Sequence, residues 1–227
     1  MIINKFNYEK LSRKNEDGVR KYLTPDGSRV ASVTSILDKT KSAESAAALH
    51  NWRRAVGHAK AQEITTLAAG RGTRMHSYLE GYIKTGKLAP PGSNPYAKES
   101  NGMAQIVIDN GLVHLTETYA VEASLYYPEI YAGTTDLVGL YKGELAIIDY
   151  KQANKVKSDD RVVDYKTQLA AYIEAHDKVH GTKIKQGVIL MCCKDGTFQS
   201  WEVTGNELAK FKDEWWRRVE TYYVGLA

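Results

Sequence analysis

Two apolar runs separated by Lys142-Gly143 each carry one aspartate: Asp136 in Gly133-Thr-Thr-Asp136, and Asp149 in Asp149-Tyr-Lys151. The flanks, Tyr131 to Tyr141 and Glu144 to Lys151, are β-prone, and a short Lys-Gly loop between such runs predicts a hairpin. With Lys142 and Gly143 as the loop, residue 141 faces 144, and counting back sets Asp136 opposite Asp149. Directly opposed side chains stand about 4.5–5.5 Å apart at Cβ and point to one face. Lys151, two residues beyond Asp149, shares that face. Two carboxylates this close repel unless a divalent cation lies between them. Two acids and an ammonium on an otherwise apolar sheet therefore outline a metal-dependent hydrolase. The alternative, a solvated acid pair on a surface hairpin, is disfavoured because like charges directly opposed are destabilising.

An acid followed two residues later by lysine arises by chance roughly once or twice in a chain of this length and charge content. A second copy, Asp164-Tyr-Lys166, does occur, in a segment of helical spacing with no apolar strand before it and no partner acid upstream. It is read as a decoy. In its context the first copy resembles the PD-(D/E)xK nuclease superfamily. Arg71-Gly-Thr-Arg-Met-His76-Ser-Tyr-Leu-Glu80 puts His76 and Glu80 on one helix face at i, i+4 and is similar to the G-x-x-x-H-x-x-x-E helix of the RecB-like branch. Gln168-Leu-Ala-Ala-Tyr172 resembles that branch's Q-x-x-x-Y motif. Upstream, Ser32-Val-Thr-Ser-Ile-Leu37 and Trp52-Arg-Arg-Ala-Val-Gly57 resemble the N-terminal arm of the mitochondrial genome maintenance exonucleases and their phage relatives.

The resemblance implies that Asp136, Asp149 and the backbone carbonyl of Tyr150 hold Mg²⁺, with His76 as a further ligand. Oxygen donors favour Mg²⁺ or Mn²⁺, and a histidine is consistent with Mn²⁺ being tolerated. Lys151 would orient or deprotonate the attacking water and offset transition-state charge. Glu80, Gln168 and Tyr172 would hold the site or touch DNA, with Arg71 and Arg74 as further DNA contacts. On sequence alone, His76 and Glu80 could instead be a surface ion pair, and Gln168 and Tyr172 could belong to a packed amphipathic stripe with Tyr165, Leu169 and Ile173. Glu122, one strand earlier, could point at the same site but is not assigned to it.

The elements needed to position these residues are legible in outline. The 227 residues, 43% hydrophobic and 26% charged, suit one α/β (α+β) domain with a central mixed β-sheet flanked by helices. Turn-rich residues 1–30 suggest a peripheral β-hairpin, and Ser32 or Thr34 can cap a helix beginning near Ser35. An alanine-rich helix runs from Ala43 to Ile64, with a break at Gly70 or Gly72 before the His76 helix, which ends near Gly86. A helix over 97–110, strands near 112–127, 130–141 and 145–151, and a helix over 161–180 follow. Strands near 184–193 and 197–203 and a final helix from Asn206 to Tyr223 complete the chain. Residues 1–70 are expected to form a hairpin and helical arm, 71–205 the nuclease core, and 206–227 a C-terminal helix.

Other classes are less well supported. A net charge of +4 permits nucleic acid without arguing for it. Basic–aromatic clusters such as Trp52-Arg53-Arg54 and Trp215-Trp-Arg-Arg218 could stack bases, or could be snorkelling surface helices. Two adjacent cysteines, Cys192 and Cys193, are too few for a four-cysteine iron–sulfur cluster and read as buried strand filler. No apolar run reaches transmembrane length, and the start shows neither signal nor transit peptide, so a cytoplasmic bacterial or phage protein is expected. The expected activity is a Mg²⁺-dependent exonuclease on DNA, single-stranded or with a free end, serving repair, recombination or replication. An endonuclease on the same core and a non-catalytic nucleic-acid binder are the alternatives.

Overall fold

A computed structural model describes residues 1–225. Among these the chain forms eight strands and six α-helices in three layers, helices on either side of one mixed sheet. The strands are β1 (Ser12–Glu16), β2 (Val19–Leu23), β3 (Arg29–Ser32), β4 (Leu115–Tyr127), β5 (Tyr131–Tyr141), β6 (Glu144–Ala153), β7 (Gln186–Cys193) and β8 (Phe198–Thr204). The helices are α1 (Val33–Lys39), α2 (Ala43–Val56), α3 (His58–Thr85), α4 (Pro95–Asn110), α5 (Val163–His180) and α6 (Gly205–Val224). Among the described residues no helix is long and apolar enough to cross a membrane. The last residues of the expected C-terminal helix, 226 and 227, lie outside the described residues.

The central strands are apolar on both faces because both are covered, the pattern expected of strands between two helical layers. Along β6 and β7 the side chains alternate. Ile147, Ile189 and Met191 enter a core with Leu169, Ile173, Phe211 and Trp215 of α5 and α6. Ile148, Val188 and Leu190 enter the other, with Met75, Leu79, Met103 and Val107 of α3 and α4. Each such side chain contributes about 1.5–3 kcal/mol when fully buried. A one-residue register slip would exchange the two cores, so the positions of Asp136 and Asp149 are fixed by the packing around them.

The expected helix break at Gly70 or Gly72 is not there. Gly57 breaks the chain instead, at φ +84, and α3 then runs unbroken for 28 residues from the arm into the core. Gly72 serves close packing: a Cβ there would come within 3.3 Å of the Gln152 side chain. Segment 112–114 is a short 3-10 turn and not strand. The N-terminal hairpin is likewise not peripheral. β3, missed in the sequence, pairs parallel with β5 and joins the hairpin to the main sheet.

Candidate active site

The site lies where β5 loses a neighbour. One edge of β5 pairs with β4 along its length. Its other edge pairs with β3 at Tyr131 and Ala132, and with β6 from Leu137 onward. Residues 133–136 face the gap between. The hairpin register is as counted, Tyr141↔Glu144 through Leu137↔Ile148, and one further step places Asp136 beside Asp149. Here the strands part, and Asp136 Oδ2 accepts the Tyr150 N–H at 2.6 Å. A side chain thus satisfies a buried backbone donor that the ladder has released.

Asp136 Oδ1 is 3.0 Å from His76 Nδ1 on α3. On its other flank stands Glu122 of β4. Val121↔Leu137 and Ala123↔Thr135 bracket it, so Glu122 is opposite Asp136, at φ +51 in a strand otherwise extended. Left-handed backbone at a non-glycine residue is strained and is frequent at functional sites. Donor atoms of His76, Glu122 and Asp136 lie within 4.8 Å of one another, a spacing that suits one metal ion. Sequence reasoning set Glu122 aside. The signal was weaker than at the Lys-Gly turn: a two-residue Pro128-Glu129 loop would set Glu122 opposite Thr135, and only the three-residue loop that forms, with Tyr127 facing Tyr131, sets it opposite Asp136.

Asp149 is 3% exposed and its carboxylate is in contact with the Lys151 ammonium. Lys151 Nζ also sits 5.0 Å from the centroid of the Tyr165 ring on α5. Burial pushes the Asp149 carboxyl up, against the opposing pull of Lys151. Burial works against the Lys151 ammonium, but the charges of Asp149 and Asp136 prevail and raise its pKa. His76 behaves alike: burial opposes its charged form, while the hydrogen bond and charge of Asp136 outweigh it and raise its pKa. Partial desolvation, then the charge of Asp136, push Glu122 up to about 7. A cluster in which acids are driven toward their neutral forms is one that an added cation would stabilise.

These groups line one open cleft of about 510 Å³, together with Glu80, Gln168 and Tyr172. Gln168 Nε2 donates to the Tyr172 hydroxyl at 3.0 Å, so both motif residues meet at the site and are also packed into the core. Tyr150 contributes backbone, while its ring turns into the opposite core, edge-on to His76.

The two arginines expected to touch DNA are both engaged within the protein. Arg71 is 3% exposed and its guanidinium donates to Gln152 and Asn154, tying α3 to the end of β6. Arg74 points to α4, donating to the Tyr96 carbonyl and to Ser100 Oγ. The Trp215 cluster is structural too: Trp215 is fully buried against Tyr131, and Arg218 is paired with Asp164 and Glu214. The decoy Lys166 lies on α5, buried and hydrogen-bonded to Glu207 at 2.7 Å, away from the cleft.

The chain is similar to the mitochondrial genome maintenance exonucleases. Identity to mitochondrial genome maintenance exonuclease 1 of Xenopus tropicalis is 28% over 85% of this chain and 57% of that protein. For the mouse protein it is 26% over 96% and 66%, and for the human protein 25% over 85% and 58%. The chain thus spans roughly three-fifths of the length of these relatives. The RecB-like resemblance read from the motifs agrees with these names. No established family profile matches the chain. Among solved structures, a phage-related exonuclease from Haemophilus somnus aligns with a TM-score of 0.38 at 15% identity, over 66% of this chain and 80% of that one. A structure from Eubacterium rectale aligns at 0.49 and 16%, over 69% and 68%.

Proposed function

We propose that this chain is a divalent-metal-dependent nuclease that hydrolyses phosphodiester bonds in DNA from a free end, with single strands as the preferred substrate. The observation that carries the reading is the convergence of His76, Glu122, Asp136, Asp149 and Lys151 in one cleft from α3, β4, β5 and β6. Three carboxylates and an imidazole are a fitting donor set for Mg²⁺ or Mn²⁺, held by Asp136, Asp149, His76 and Glu122, with the Tyr150 carbonyl as a further oxygen. Such an ion would supply charge compensation on the phosphoryl oxygens and a more acidic attacking water.

The protein's own groups account for the rest. The Tyr150 N–H and His76 fix the Asp136 carboxylate in orientation. Lys151, held between Asp149 and the face of Tyr165, keeps a positive charge beside the position of a bound phosphate. Gln168 and Tyr172 brace that wall of the cleft. The exonuclease names of the relatives support the same reading.

The test is degradation of end-labelled linear single- and double-stranded DNA in Mg²⁺, Mn²⁺ or EDTA, beside a covalently closed single-stranded circle. Loss of linear DNA with the circle intact is expected. A cut circle would make the protein an endonuclease. Binding without cleavage in every metal would make it a non-catalytic DNA binder.

A further inference from the structure

The cleft poses an electrostatic problem for a nucleic-acid substrate. Four carboxylates line it, those of Glu80, Glu122, Asp136 and Asp149, and they would repel a phosphate backbone. Of the cationic groups that face them, Lys151 is committed to Asp149 and His76 to Asp136. Arg13 and Arg20, on the N-terminal hairpin, remain. Both are exposed, and among the described residues neither has a carboxylate oxygen within 4.0 Å.

The two faces of that hairpin differ in kind. The register Arg13↔Tyr22 and Asn15↔Arg20 puts both arginines on one face with Tyr22. Tyr22 is buried and its hydroxyl is hydrogen-bonded to Thr134 Oγ1 at 3.2 Å, which sets this face against the gap in the sheet. On the other face Lys21 and Arg29 are both paired with Glu16, at 3.5 and 2.7 Å. The hairpin therefore pairs Lys21 and Arg29 on its outward face with Glu16, while its two inward arginines have no acid partner among the described residues. Arg20 is also well anchored, since its backbone N–H donates to Ser35 Oγ at 3.2 Å at the start of α1.

Resting on the nuclease reading above, we propose that Arg13 and Arg20 form a phosphate subsite that grips the nucleic-acid strand next to the bond being cut. A guanidinium fork matches phosphate oxygens bidentately and cannot lose its charge, the properties such a grip needs. The phosphate held is either an internal phosphodiester or a phosphomonoester at the strand end.

The experiment uses the full chain and single-stranded oligonucleotides carrying a 5′-phosphate or a 5′-hydroxyl. For Arg13→Gln/Arg20→Gln, KM is expected to rise at least tenfold with kcat within about threefold of wild type. The slope of log KM against log salt should fall by roughly 0.7 for each phosphate that is no longer neutralised. Equal loss on both oligonucleotides assigns the subsite to an internal phosphodiester; loss confined to the 5′-phosphorylated one assigns it to the end. Lys14→Gln/Lys21→Gln, on the outward face, is expected to leave KM and slope unchanged. Unchanged KM and slope in the arginine double variant, or an equal effect from the outward lysines, would overturn the subsite. Failure of wild type to cut either oligonucleotide would instead overturn the nuclease reading. Denaturant unfolding of each variant separates a folding defect from a binding one.

Discussion

Gly133→Ala offers a sharp test of how the cleft is built. Gly133 opens the unpaired stretch of β5, and a Cβ there would sit 2.6 Å from Cε1 of Tyr172 and 3.2 Å from its hydroxyl oxygen. Carbon atoms meet comfortably at about 3.5–4.0 Å, so the overlap is about 0.9 Å. The Tyr172 ring is 2% exposed and its hydroxyl is held by Gln168, which leaves it no easy retreat. Overpacking of this kind costs about 1–3 kcal/mol, and a fully enclosed ring belongs toward the upper end. Replacing a strand glycine with alanine otherwise gains about 0.5–1 kcal/mol, so a net loss near 1–2 kcal/mol is expected. Urea unfolding in EDTA, which removes any linkage to bound metal, should show a lower midpoint at unchanged slope. The decisive comparison is the same substitution in a Tyr172→Ala background. With the ring gone, Gly133→Ala should become neutral or stabilising, a coupling of about 2–3 kcal/mol. An equal penalty in both backgrounds would refute the steric argument.

Three further outcomes follow from the structure. Glu122→Gln removes one donor of the compact group around Asp136 and should raise the Mn²⁺ concentration for half-maximal cleavage at least tenfold, read by metal titration. Lys166→Ala breaks a part-buried contact with Glu207 and should lower stability by about 1 kcal/mol, while turnover per folded molecule stays near wild type; a dead but folded variant would mean the wrong Asp-Tyr-Lys was chosen. His176 is fully buried, with Nδ1 2.8 Å from Thr182 Oγ1, and burial holds its pKa near 3. The Thr182 hydroxyl donates to Asp177, so His176 must be the Nδ1–H tautomer, with bare Nε2 accepting from Tyr8. The unfolded chain takes up that proton near pH 6.5. The contribution is therefore complete above pH 6.5 and lost as pH falls toward 3, by up to about 1.4 kcal/mol per unit. A His176→Gln variant measured over the same range should lack this part of the slope.

The hairpin carrying Asp136 and Asp149 was legible because a two-residue turn fixes register by counting, and the observed pairs keep that count to Leu137↔Ile148. The helix carrying His76 and the pairing of Gln168 with Tyr172 were likewise readable from spacing. The partners of Arg71 were not readable: a basic residue beside a motif looks like a DNA contact, whereas Gln152 and Asn154 are about eighty residues away and become visible only on folding. The break at Gly57 was missed for a related reason: three glycines compete within sixteen residues, and only tertiary packing decides that Gly70 and Gly72 stay helical. The hairpin arginines were hidden by β3, a four-residue strand too short to announce itself, and Glu122 by a three-residue loop at 128–130 that leaves the β4–β5 register open by one step.

The unbroken run of α3 has a mechanical meaning. At 1.5 Å per residue its 28 residues form a rod about 42 Å long, pinned near its middle by Arg71 and carrying His76 just beyond the pin. Beyond the pin Met75 and Leu79 are fully buried, so the half that carries the imidazole is clamped in the core while the half that begins at His58 projects as a cantilever. A load on that outer half would be taken up at the Arg71 clamp, five residues before His76, which insulates the contact with Asp136 from the arm.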